Sequence, residues 1–264
     1  VAALRICGDK LRRRDVWLTR NVATEACRRA SNGAEFVERV FAETGIALDV
    51  ISPGEEARLA VLGCQSLIDS EGPPALVFDI GGGSTELILV TRGARGEAVI
   101  QGWTSVHWGV VALTETEPHD LSESQRLLAY ERMRARVSEH LVNFRANVER
   151  VAPGPLQLLG TSGTITTLAS VDMGLAGYDR RLVDGCMVTS AAMRAISADL
   201  AAKSPAERAL QPCIGHDRAD LVVAGCAILE AILDAWPAET IRVADRGIRE
   251  GILRTLIARD GGRG

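Results

Sequence analysis

Short apolar runs alternate with helix-patterned segments from the first residues of the chain onward. In "VAALRICGDKLRRR", Leu4, Cys7 and Leu11 recur at helical spacing, and no N-cap residue precedes them. "DVWLTRN" reads as a short buried strand. "NGAEFVERVFAETG" reads as a helix with Phe36, Val37, Val40 and Phe41 on one face and Gly45 as its C-cap. "IALDVIS" supplies another strand and "PGEEARLAVLGCQSLIDS" another helix. This alternation gives a parallel or mixed sheet covered by helices.

"EGPP" at 71 to 74 breaks the pattern, because Gly and paired Pro stop both helix and strand. It sets an expected boundary between a first domain over 1–72 and a second over 73–264. Beyond it come two strands, "ALVFDI" and "ELILV", joined by a glycine turn, and a third around "AVIQGWTSV". A long helix is predicted from about Ser122 to Val151, with Tyr130, Met133, Val137, Leu141, Phe144, Val148 and Val151 forming one stripe. "LQLL" is then a strand leading into "GTSGT"; 190 to 202 and 219 to 236 read as helices, "TIRVAD" as a strand and "GIREGILRTLIARD" as a closing helix. Three meandering strands followed by helix, strand, helix and strand is a ribonuclease-H-like arrangement.

Composition narrows the class. The chain has 264 residues, 47% of them apolar, enough for substantial cores. No apolar run is long enough to span a bilayer and no secretory h-region is visible, so a cytoplasmic protein without a membrane partner is expected. The net charge of −4 speaks against a nucleic-acid partner. The six cysteines show neither metal-ligand spacing nor a disulfide framework, and they read as small buried residues. His107, His119, His140 and His216 show no ligand spacing and are expected to be surface or structural.

The chemistry concentrates in "VFDIGGGSTELILV". Three glycines between two apolar strands expose successive backbone amides, which suits an anion, although a hairpin needing only φ > 0 would use the same residues. Asp79 before the turn and Glu86 after it offer hard oxygen ligands for Mg²⁺, and the hydroxyls of Ser84 and Thr85 could add donors. The turn Gly81, Gly82, Gly83, Ser84 is thus a candidate phosphate loop. A second loop, Thr161, Ser162, Gly163 in "GTSGT", leaves a strand and opens a helix, where amides favour negative charge. In "SPGEEARL", Ser52, Pro53 and Glu55 make a helix start with a capping box. Glu56 is left over, either as a first-turn carboxylate favoured by the macrodipole or as a general base. Arg28 and Arg29 follow a strand end and carry no weight alone.

Taken in order, "TEACRRASN", "ISPGEEARL", "VFDIGGGSTEL", "GTSGT", "DRADLVVAG" and "VADRGIREGIL" resemble the exopolyphosphatase and guanosine pentaphosphate phosphohydrolase family, of the sugar kinase, Hsp70 and actin superfamily. The resemblance implies an α/β fold of two ribonuclease-H-like (actin-like ATPase) domains with the site in the cleft between them. It implies Mg²⁺-dependent release of the terminal phosphate of polyphosphate, or of the 5′ γ-phosphate of pppGpp. By position, Glu56 resembles the catalytic base, Asp79 and Glu86 the acidic residues at the metal, Gly81 to Ser84 the phosphate loop and Arg28 a phosphate contact. The family's opening Asp-x-Gly-Ser-Asn-Ser loop is not found, so the first domain is expected to be incomplete and this chain weak or inactive. "ADRGIREG", where many members have Asp-Gly, and "SVHWGVVALTE" also depart from the family's pattern. A nucleotide- or polyphosphate-binding module without turnover stands as the alternative, a superfamily kinase is a third reading, and a homodimer is left open.

Overall fold

The computed structural model describes residues 1–94, 96–118 and 122–261. The first region holds α1 (Ala2–Arg13), β1 (Asn21–Ala23), the five-residue α2 (Glu25–Arg29), α3 (Gly33–Thr44), β2 (Leu48–Val50) and α4 (Pro53–Cys64). β1 and β2 pair in parallel as a two-stranded sheet. The helix expected over 33–44 forms and ends at Gly45 in the left-handed region (φ 73°). Its expected apolar face is only partly used: Val40 is fully buried, whereas Phe41 is 58% exposed. "DVWLTRN" does not form a strand; pairing starts at Asn21, and Trp17 is exposed.

Next come β3 (Ala75–Ile80), β4 (Thr85–Arg92), β5 (Ala98–Val106), α5 (Val110–Thr114) and α6 (Glu123–Val151). They are followed by β6 (Gln157–Thr161), α7 (Gly163–Asp172), α8 (Arg180–Val183), β7 (Met187–Thr189), α9 (Ser190–Ala202), α10 (Pro205–Ala209), α11 (Val222–Ala235), β8 (Thr240–Ala244) and α12 (Ile248–Asp260). The strands form one six-stranded sheet in the order β5-β4-β3-β6-β8-β7. β3, β4 and β5 are mutually antiparallel, β6 and β8 extend β3 in parallel, and β7 closes the edge antiparallel to β8. The first five positions are the ribonuclease-H order expected from the sequence. The edge strand β7 and the short helices α5, α8 and α10 were not in that expectation.

The sheet separates two cores because successive side chains on a strand point to opposite faces. Leu76, Phe78, Leu87, Leu89 and Leu158 face α6, α7 and α11, where Tyr130, Met133, Val137, Leu141, Phe144 and Val148 of the stripe are buried as its spacing predicts and Val151, its last member, is partly buried. Ala75, Val77, Ile88, Val90 and Leu159 face the other way and are covered by Ala57, Val61 and Cys64 of α4. α12 then crosses α4 so closely that a Cβ on Gly63 would lie 2.0 Å from the Gly247 carbonyl oxygen, and one on Gly251 2.1 Å from that of Leu59. Only glycine permits this approach, and it fixes α4 between α12 and the sheet. Two cysteines, Cys64 and Cys226, are buried as expected; Cys7 is exposed and the other three are partly so.

Candidate active site

The register of the sheet builds one wall of the site. Across neighbouring strands, Ser105 pairs with Glu86, Glu86 with Asp79, Asp79 with Thr161 and Thr161 with Ala244. Laterally paired residues share a face, and this row lies on the face covered by α4. The two acids that the sequence places on either side of the glycine turn therefore stand side by side under that helix. Glu56, in the first turn of α4, is 5% exposed and adds a third carboxylate. Burial, and then the charge of Glu56, push the Asp79 carboxyl up to about 6 although Ser162 hydrogen-bonds it. The same two causes push Glu86 up to about 7, against the hydrogen bonds it accepts from Ser84 (2.7 Å) and Ser105 (2.8 Å). Glu56 is also raised by burial, with Arg28 opposing the shift.

The two glycine loops meet. Gly81, Gly82, Ser162, Gly163 and Thr167 line one pocket of about 180 Å³ together with Arg218. None of Gly81, Gly82 and Gly83 has positive φ, so turn conformation is not what calls for glycine there. Crowding calls for it at two of the three: a Cβ on Gly81 would sit 3.0 Å from the Ser84 carbonyl oxygen and one on Gly83 3.2 Å from Cγ of Glu25, whereas one on Gly82 would make only ordinary contact with Val111; the neighbouring Gly109 is tighter, its Cβ falling 2.4 Å from the Gly82 carbonyl carbon. The carbonyls of Gly81 and Gly82 are used by the amides of Val110 and Val111 at the start of α5. That pairing turns the loop's carbonyls inward and holds the loop in place. In the second loop Ser162 is a non-glycine residue at φ 80°, ψ −179°, a region that costs on the order of 1–3 kcal/mol. It makes no cap to α7; its hydroxyl goes to Asp79 instead, leaving the first-turn amides of the helix open.

The expected residues differ in what remains available to a ligand. The Ser84 hydroxyl is committed to Glu86, that of Thr85 to the Trp108 carbonyl (2.8 Å), and that of Thr161 to the Arg246 carbonyl (2.6 Å). Arg28 donates through Nη1 to Glu56 (2.8 Å) and to the Ile51 carbonyl (2.8 Å), and through Nη2 to Glu25 (3.0 Å). Ser52 caps α4 as predicted, accepting from the Glu55 amide. The Glu55 side chain does not complete a capping box: it binds Arg58 and Arg20, which hold its carboxyl down at about 2.

Three residues at the site, Ser105, Arg218 and Glu25, were not singled out from the sequence, and a fourth, His107, was expected to be surface or structural and is largely exposed. Ser105 completes the row beside Glu86, Arg218 lines the loop pocket and donates to Thr167 (2.8 Å), and Glu25 and His107 lie 2.8 Å apart beside Arg28. Arg218 lay within "DRADLVVAG", whose spacing carries no ligand signal by itself. His119 lies outside the described residues. Among the described residues no three His, Cys, Asp or Glu converge as a metal cluster, and no helix is long and apolar enough to cross a membrane.

Comparison with known proteins places the chain among relatives of one family. The chain is 29% identical over 250 residues to exopolyphosphatase 2 of Mycobacterium tuberculosis, covering 90% of this chain and 74% of that protein. It is 26% identical over 259 residues to the guanosine-5′-triphosphate,3′-diphosphate pyrophosphatase of Aeromonas salmonicida, covering 96% of this chain and 48% of that protein. The crystal structure of an exopolyphosphatase from Cytophaga hutchinsonii superposes with a TM-score of 0.84 at 25% identity, over 98% of this chain and 80% of that one. The expectation of a chain lacking its family's first strands finds no support in the family match, which begins at residue 2. With residues 2–259 matching the Ppx/GppA phosphatase family, and the fold and its glycine loops in the order that the sequence motifs foretold, the chain belongs to that family.

Proposed function

We propose that the protein hydrolyses the terminal phosphoanhydride bond of inorganic polyphosphate or of pppGpp, with Glu56 as general base. What supports this reading is the convergence of two glycine loops on one pocket, one of whose residues, Ser162, hydrogen-bonds Asp79 in the cluster it forms with Glu56 and Glu86. A water oxygen attacks the terminal phosphorus and Glu56 takes its proton. The bond from phosphorus to the bridging oxygen breaks, and the electron pair leaves on the shortened chain, or on ppGpp, with orthophosphate as the other product. Loop amides and Arg218 offset charge on the phosphoryl oxygens, the kind of stabilisation on which phosphoryl transfer mostly depends. A carboxylate whose pKa lies above its usual range takes a proton at smaller cost than an ordinary one, so burial of Glu56 suits the task.

Asp79 and Glu86 fit a magnesium ion. Mg²⁺ commonly takes one or two carboxylates and completes its shell with waters and substrate oxygens, and two adjacent buried acids with raised pKa values are relieved by a cation. When bound, the ion would neutralise phosphate charge.

The test is phosphate release from polyphosphate and from pppGpp with and without Mg²⁺, in the wild type and in Glu56→Gln. The variant is expected to lose about 10²- to 10⁴-fold in kcat while retaining substrate binding. Activity undiminished in Glu56→Gln removes the base assignment. Stoichiometric binding of both substrates without release would make the protein a binding module.

A further inference from the structure

The proposed chemistry leaves one buried acid without a task. Glu25, on α2, is 5% exposed, and its position is set by three neighbours. Oε2 accepts from Nε (3.3 Å) and Nη2 (3.0 Å) of Arg28, and Oε1 lies 2.8 Å from Nδ1 of His107. Its methylenes rest against the glycine turn, 3.2 Å from where a Cβ of Gly83 would be. His107 follows β5 directly, so the carboxylate bridges from α2 to the strand end beside the phosphate loop. The other edge of Arg28 is taken by Glu56 and the Ile51 carbonyl.

A guanidinium presents the same planar fork to a carboxylate as to a phosphate. Glu25 therefore occupies the edge of Arg28 that a phosphoryl group would use, and it does so beside the turn whose amides would hold that group. We propose that Glu25 is a specificity-determining residue, an internal anion seated on Arg28 and against Gly83 that an incoming phosphoryl group must displace, and that His107 tethers it there. This rests on the reading of the loops as a phosphate site. Because Arg28 keeps its separate bond to Glu56, removing the Glu25 charge frees one edge of the guanidinium without unseating the base. The consequence is a site tuned toward weaker retention of polyanions than the same loops would show with a neutral residue at position 25.

The experiment pairs calorimetric titration of tripolyphosphate with steady-state kinetics on polyphosphate, for the wild type, Glu25→Gln, Glu25→Asp and His107→Ala. Replacing the charged acceptor of two Arg28 hydrogen bonds by a neutral one that can still accept, about 1 kcal/mol net, predicts that Glu25→Gln binds tripolyphosphate roughly fivefold tighter and lowers KM by a similar factor, with kcat moving less than KM. His107→Ala should move both quantities in the same direction by less, and Glu25→Asp, whose shorter reach loosens the fork, should fall between. Weaker binding or a raised KM in Glu25→Gln overturns the proposal, since Glu25 would then be organising Arg28 for substrate. Generic damage to the fold does not tighten binding, so a fall in KM is not a stability effect. The calorimetric arm needs no turnover: tighter binding by a chain that hydrolyses nothing keeps this inference and defeats the hydrolase reading, and unaltered binding by an active chain does the reverse.

Discussion

The two walls of the site are held in different ways. On the sheet side, Asp79, Glu86 and Thr161 are fixed by backbone pairing, with apolar cores on both faces of the strands behind them. On the other side, Arg28 and Glu25 stand on a helix of five residues, and side-chain hydrogen bonds place them: Arg28 to Glu25, Glu56 and Ile51, and Glu25 to His107. The backbone ladder resists single substitutions because many bonds share the load. A fork of ion pairs does not. On the proposed reading of the site, the sheet wall therefore sets where a phosphate would sit, and the α2 wall is where affinity would be adjusted one residue at a time. α4 is the hinge of this contrast, since it carries Glu56 and is clamped from behind by α12.

The sharpest way to break the arrangement is through the clamp. Gly63→Val forces a branched side chain into the Gly247 backbone, where even a Cβ has only 2.0 Å. The expected loss is about 3 kcal/mol or more in denaturant unfolding, toward the upper range for overpacking. Loss within the range of a surface substitution would show that α4 and α12 separate freely.

A middle-sized effect should come from pH, through Asp79 and Glu86 of the sheet wall together with Glu56, whose carboxyl is also raised by burial. Asp79 and Glu86 have folded pKa values of about 6 and about 7, above their ordinary 3.8 and 4.5. Between roughly pH 4 and pH 7 the folded state binds more protons than the unfolded one, so stability falls as pH rises through that window and levels off above it. The unfolding midpoint of the metal-free protein should therefore drop from pH 5 to pH 7.5. In Glu86→Gln, which keeps the shape and removes one titration, the drop should be shallower; an equally steep profile would show that Glu86 takes no part.

The smallest effect sits at the far side of the first region. Phe41, on α3, exposes 58% of its surface, and Phe41→Ser should change stability by no more than about 0.5 kcal/mol in the same unfolding experiment. A larger loss would show that the two-stranded part depends on that face as the sheet depends on its own cores.

This contrast also explains how much could be read from the chain. Asp79 and Glu86 were recognisable as partners because strand periodicity and a short glycine turn leave little freedom in the register. The stripe of α6 was readable for the same reason, its helical period being sustained from Tyr130 to Val148. Local rules failed where tertiary contacts decide. Val40 and Phe41 look alike in sequence, yet one is buried and the other exposed, because which positions of α3 are covered is decided by where α1, α2 and β2 pack against it. β7 is three residues of antiparallel edge, too short to show a period. The Glu55 side chain fits a capping box by spacing, but Arg20, distant in sequence, competes for it. The pairing of Glu25 with His107 joins positions whose meeting no local pattern announces.

The glycine crossing of α4 and α12 also bears on the order of events during folding. Gly63 and Gly247 are far apart along the described chain, with the whole six-stranded sheet between them in sequence, and Leu59 meets Gly251 in the same contact. Contacts between such distant residues carry a large loop-closure cost and tend to form late. The helix that carries Glu56 is thus locked only after the six-stranded sheet has gathered the intervening chain. During refolding, sheet formation should run ahead of the locking of the site.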